Sequence, residues 1–204
     1  MKTKMFIALL ISGVATTSLA KDISYRVVTD QSTVTWEGRK VVGGAHQGNV
    51  KVKDGTVTLT DGKVKSGEVT IDLTSIANED IKDADNNKKL VNHLNSPDFF
   101  DTKTYPTASL TLTSSTPQKG GTQAVKGTLT IRGKTSPIEL TAMEDTKGTT
   151  KTIKTDFTFD RTKFDVKYNS GKFFANLGDK IIADEVKVSV ALTLEEEPAK
   201  SARK

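Results

Sequence analysis

Apolar and polar residues alternate along most of this chain with a period of two. Ser24 to Val28 reads as a first strand. From Ser32 to Lys40, Val34 and Trp36 share one face while Thr33, Thr35 and Glu37 share the other. Asn49 to Lys53 and Thr56 to Thr60 follow as two strands, with Asp54-Gly55 and Asp61-Gly62 as turns. Gly67 to Leu73 sets Val69, Ile71 and Leu73 on one face, and Ala108 to Ser114 turns Leu110 and Leu112 inward. After a polar loop over Pro117 to Thr122, Ala124 to Ile131 and Ile138 to Met143 form a hairpin around Arg132-Gly133-Lys134. Thr152 to Asp160 aligns Ile153, Phe157 and Phe159, and Glu185 to Leu194 aligns five aliphatic residues. The pattern predicts eight or nine antiparallel strands, each with one apolar face. Such faces must turn together, and both a barrel and a sandwich do this.

One stretch breaks the alternation. Leu90, Val91 and Leu94 recur at helical spacing behind the polar run Asp83–Lys89. Ser96-Pro97-Asp98 stops that helix, because proline lacks the N–H and forces its predecessor out of helical geometry. Phe99 and Phe100 follow at once. A β-rich chain that interrupts itself with a short helix and paired aromatics is expected to lid or plug something. Phe164 to Asp179 is also irregular and aromatic, with Phe164, Tyr168, Phe173 and Phe174.

Three ordered motifs now carry a resemblance. His93-Leu94-Asn95-Ser96-Pro97-Asp98-Phe99-Phe100-Asp101, closed by Tyr105-Pro106-Thr107-Ala108, resembles the central signature of the YceI-like family. Gly127-Thr128-Leu129-Thr130-Ile131-Arg132-Gly133 is similar to that family's hairpin, and Asp160-Arg161-Thr162-Lys163-Phe164 to its corner. The resemblance runs from about Ile23 to Leu194. It implies an all-β, extended antiparallel, lipocalin-like β-barrel of about eight strands, with a short helix near its opening. It also implies a ligand: a long isoprenoid lipid, either a polyprenyl phosphate or an isoprenoid quinone, held in the lumen. Burying one isoprene unit removes roughly 100 Å² of apolar surface, a gross gain of about 2.5 kcal/mol.

Composition narrows the setting. Lys2 and Lys4, the apolar run Met5 to Val14 and Ser18-Leu19-Ala20 read as a signal peptide over residues 1–20, cleaved before Lys21. The chain is therefore expected in the periplasm, with the barrel domain over 21–195 and a disordered charged tail over 196–204. It has no cysteine, which excludes thiol catalysis, thiolate metal sites and disulfides. The formal net charge of +5 is spread along the chain, with no block fit for nucleic acid. No transmembrane segment is expected in the mature chain, and a homodimer is left open.

Candidate chemistry is sparse. The Gly-rich Val42–Gly48 stretch is followed by no Gly-Lys-Ser/Thr and no helix, so it is not a phosphate loop. Its glycines mark a bend or a close backbone approach. Two distant histidines, His46 and His93, make no metal site. Of the two, His46 is the better candidate to meet a ligand headgroup, because its glycine neighbours leave room. No Gly-x-Ser-x-Gly or triad spacing occurs, so no catalytic residue, metal or cofactor is assigned and the chain is read as a non-enzyme. Asp160-Arg161 reads as a structural corner in which the guanidinium ties down carbonyls or a carboxylate. Seven of the twelve aromatic residues fall in the two irregular segments, where the mouth of a pocket is built. The candidate ligand-binding set is Trp36, His46, Phe99, Phe100, Phe157, Phe159, Phe164, Tyr168, Asn169, Phe173 and Phe174. Two other readings use the same barrel: an enzyme acting on a lipid in this pocket, and a stress-related protein-interaction module whose barrel is filled by its own side chains.

Overall fold

The computed structural model describes residues 20–148 and 150–198. Nine strands form one antiparallel sheet: β1 Asp22–Val27, β2 Thr33–Arg39, β3 Ala45–Thr60, β4 Lys63–Asn78, β5 Thr107–Pro117, β6 Thr122–Ile131, β7 Lys134–Lys147, β8 Thr150–Asp160 and β9 Glu185–Glu196. Strands β2 to β9 follow one another around a closed barrel, sealed where β2 pairs with both β3 and β9. The signal-peptide assignment lies almost wholly outside the described residues.

The extra strand completes one stave rather than a second layer. β1 and β2 run in the same direction and fill the same seam between β3 and β9. β1 pairs with Thr56–Thr60 and with Leu194–Glu196, and β2 with the far ends of the same two strands. The break between them is stitched by Thr193, whose carbonyl accepts the Val28 N–H and whose hydroxyl donates to Gln31 O.

Two sequence expectations change here. Asp54-Gly55 is not a turn, because β3 runs unbroken for 16 residues and pairs Asp54 with Thr70 and Gly55 with Val69 of β4, just past a bulge at Lys53. The space around Gly55 is tight: a Cβ there would lie 3.0 Å from both Glu68 O and Val27 Cγ2. At the C-terminus, Glu196 still belongs to β9 and the Glu197 N–H donates to Ser24 O, so the sheet outruns the 195 boundary. The rest of the expected tail, from 199 on, lies outside the described residues. The Arg132-Gly133 turn is as expected, with both residues at positive φ, as a two-residue hairpin requires.

Among the described residues the single α-helix, α1 (Ala84–Asn95), lies in the 28-residue connection between β4 and β5. It starts earlier than its apolar residues indicate. The Asp83 side chain caps it by accepting the Asn86 N–H, so the polar run forms its first half. It ends at Ser96, before Pro97.

Core packing divides the barrel. The β1 end is filled by its own side chains, among them Tyr25, Val57, Leu59, Val64, Val125 and Leu194. The opposite end carries α1, the segment after it, and the β8–β9 connection, which pack as a second cluster around Leu94, Phe99, Phe164 and Val166.

Candidate functional site

Between these clusters the lumen is not filled. A cavity of about 180 Å³ lies there, walled almost entirely by carbon. The strands supply Trp36, Ile71, Phe157, Phe159 and Val188, and α1 with its tail supplies Leu94, Phe99 and Phe100. The alternation read from sequence produces this wall directly, since inward positions on neighbouring strands face one space. For scale, a dry apolar cavity of about 150 Å³ holds a benzene molecule. This one therefore has room for one to two isoprene units with its lid in place.

Glycines shape the wall near the opening. Gly48 sits opposite Trp36, and a Cβ on it would lie 1.8 Å from Ala77 O and 2.9 Å from the Trp36 ring. This is a close approach that only glycine permits. Gly38 lines the cavity itself, and a Cβ there meets nothing within 4 Å. The space beside it is open.

Three rings hold the lid. His93 of α1 stands edge-on to Phe99 (4.9 Å between centroids) and to Tyr168 (4.6 Å), and Phe99 lies 5.3 Å from Tyr168. The His93 ring also meets the Asp98 carboxylate at 3.1 Å. Arg132 adds a polar tie, its Nη1 donating to Phe99 O at 2.7 Å and Asp165 O at 3.0 Å.

Arg161, at the end of β8, fixes the other half of the lid. Its Nε donates to Ala183 O, Nη1 to Val166 O and Tyr168 O, and Nη2 to Ile182 O and, at 3.5 Å, to Asp184 Oδ1. Five N–H donors meet five acceptors, so the guanidinium has none left for a ligand. Burial pushes its pKa down, against the pull of Asp184 and Asp160. Beside it, burial acts to raise the Asp160 carboxyl, but Thr162 and Lys172 hold it below the ordinary value. The corner expected at Asp160-Arg161 is thus a clamp on the β8–β9 connection, which also brings Lys172 onto Asp160 and Asp184.

The candidate residues separate into groups. Trp36, Phe99, Phe100, Phe157 and Phe159 line the cavity. Phe164 lies one layer behind, buried and 5.7 Å from the Phe159 ring, and Tyr168 sits in the lid. His46 is at the rim, exposed, its Nδ1 2.8 Å from Asp80 Oδ2. Asn169 uses its carbonyl to accept the Ile182 N–H. Phe173 and Phe174 are half exposed and are not in the cavity wall. Sequence reasoning missed Gly38 and the strand aliphatics such as Ile71 and Val188, whose only signal was their inward register. Among the described residues, no three His, Asp or Glu side chains come close enough to hold a metal, and no helix is long and apolar enough to cross a membrane.

Comparison with known proteins agrees with this geometry. The YceI-like domain model matches residues 25–194. No curated protein matches the chain. Among solved structures it is similar to Burkholderia cenocepacia BcnA, at 25% identity and a TM-score of 0.63, covering 82% of this chain and 98% of that one. It is similar in fold to a polyisoprenoid binding domain from Saccharophagus degradans implicated in plant cell wall breakdown, at 14% identity and a TM-score of 0.60, covering 86% and 99%. It is also similar in fold to the Campylobacter jejuni YCEI protein, at 16% identity and a TM-score of 0.52, covering 95% and 94%. With its helix and its three motifs inside the matched span, the chain belongs to the YceI-like family.

Proposed function

We propose that this chain is a non-catalytic binding protein that holds the tail of an isoprenoid lipid in the upper half of its barrel and carries it through the periplasm. The observation that carries the reading is the apolar cavity left between a filled barrel floor and an aromatic lid. Its likeness in fold to a polyisoprenoid binding domain supports the ligand class. The orientation follows from the donors. Among the described residues the one buried cation at the wall, Arg161, is saturated by protein acceptors, so a phosphate or other charged headgroup finds no partner there. The tail goes in and the headgroup stays at the rim. No cofactor enters this reading. Native mass spectrometry of the protein purified from its own periplasm, followed by organic extraction, tests it. A stoichiometric isoprenoid supports the carrier. Protein that arrives empty and also refuses added isoprenoid quinone and polyprenyl phosphate overturns it in favour of a barrel that works through its surface.

A further inference from the structure

The described residues expose five large apolar side chains, and four of them lie at one place: Val41 (62%), Val42 (65%), Phe173 (49%) and Phe174 (49%). They come from two separate loops. Val41 and Val42 form the tip between β2 and β3, and Phe173 and Phe174 close the turn that begins at Ser170. Ile181 joins the two. Its carbonyl accepts the Val41 N–H at 2.9 Å, and its side chain lies 3.6 Å from where a Cβ on Gly171 would sit. The next residue, Ile182, lines the cavity and bridges to Lys40. Consecutive residues, Ile181 and Ile182, therefore link the exposed patch to the cavity wall.

Exposed apolar side chains scattered singly mean little, but a group set together marks a surface of interaction. The charges around this one identify the partner. The two segments 39–46 and 165–184 carry five basic against three acidic side chains. Arg39, Lys167 and Lys172 are each ion-paired, with Glu37, with Asp165, and with Asp160 and Asp184, so the cations of these segments without an ion pair among the described residues are Lys40, next to Val41, and Lys180, next to Ile181. The Lys167 ammonium stands 5.0 Å over the Phe173 ring, placing a cation beside an apolar tip. Apolar tips with Lys40 and Lys180 beside them are complementary to a bilayer surface of anionic lipid, with the tips entering the acyl boundary and the lysines at the headgroups.

We infer that the rim formed by Val41, Val42, Phe173 and Phe174 docks on an anionic membrane surface and sets the cavity mouth against the lipid it loads or delivers. The inference rests on the isoprenoid-carrier reading. Sedimentation with large unilamellar vesicles tests it, using phosphatidylglycerol–phosphatidylethanolamine mixtures against pure phosphatidylcholine, with uptake of water-dispersed farnesol by the same protein measured in parallel. The expected result is binding to the anionic vesicles and weaker binding to phosphatidylcholine. Val41→Ser/Val42→Ser and Phe173→Ser/Phe174→Ser should each lose roughly tenfold in vesicle partitioning, with unchanged melting temperatures. Val41→Ser/Val42→Ser should still take up farnesol. Wild-type protein that takes up farnesol but ignores vesicles, or variants that bind vesicles as well as wild type, would overturn the docking and leave the carrier reading intact. Vesicle binding without farnesol uptake would sink the carrier reading and keep the docking surface. Self-association abolished by the same substitutions, with no vesicle binding, would assign the patch to a second copy of the chain and overturn the membrane.

Discussion

The His93 ring stands edge-on to the Tyr168 ring, 4.6 Å between centroids, and so joins the helix to the β8–β9 connection across the open end of the barrel. A tail longer than about two isoprene units cannot fit beneath this contact and has to part it. Tyr168→Ala should therefore speed release of a long isoprenoid alcohol several-fold while changing the release of a five-carbon one little. An edge-on aromatic pair contributes about 1 kcal/mol, so the variant stays folded. Stopped-flow displacement with ligands of two lengths reads the difference. Equal effects on both lengths would mean that Tyr168 does not gate the cavity.

Gly48 is a packing requirement, not a flexible point. Its Cα lies so close to β4 that an added methyl group would overlap Ala77 O. Gly48→Ala should cost about 2 kcal/mol or more, by prising β3 from β4. Urea unfolding followed by circular dichroism gives the number, and a midpoint equal to wild type would refute the close approach.

Much of this was readable from the residues, and what was not has physical causes. Period-two alternation exposes strands well, because one face of each is buried. It does not show that Asp54-Gly55 pairs with Thr70 and Val69 of β4 beside a bulge, since turns and strand irregularities use the same residues. Arg161 was legible as a clamp because a lone arginine at a strand end has few other uses. The cavity wall was only half legible. Aromatics such as Trp36 and Phe157 stand out, but Ile71 and Val188 are of the same types as the residues that fill the floor, and only depth along the barrel separates them. Phe173 and Phe174 look like pocket aromatics in sequence, whereas their turn carries them to the outside.

Arg161→Lys tests the clamp. Lysine keeps the charge but has three donors on one atom, which cannot reach carbonyls placed around a planar fork. Leaving the Val166, Tyr168, Ile182 and Ala183 carbonyls short of partners should cost about 3 kcal/mol and loosen the lid. The expected readout is a lowered melting temperature with faster amide exchange concentrated in residues 165–184. Uniform exchange changes across the barrel would place the role of Arg161 elsewhere.

Acid should cost stability at the β3–β4 rim. Burial works to raise the Asp80 carboxyl, yet the Gln47 N–H, the His46 ring and the Asn78 amide outweigh it and bring the pKa down from 3.8 to about 2. A carboxyl depressed in the folded state stabilises fully above its unfolded value and loses that contribution as pH falls through its folded value. Wild-type stability should thus drop between about pH 4 and 2, and Asp80→Asn should flatten that slope while lowering stability at neutral pH. Urea midpoints across this range decide it, and parallel slopes for the two proteins would contradict the assignment.

Trp36 is the single tryptophan and lies in the cavity wall, so its fluorescence reports directly on occupancy. Titration with a short-chain isoprenoid quinone, which quenches indole on contact, should give saturable quenching at one equivalent. Gly38→Leu should keep the fold, since its Cβ meets nothing, and should fill the open space and abolish the quenching. Saturable quenching lost only in Gly38→Leu is the expected result. Quenching that never saturates, or that survives the plug unchanged, would contradict a lipid tail bound against Trp36.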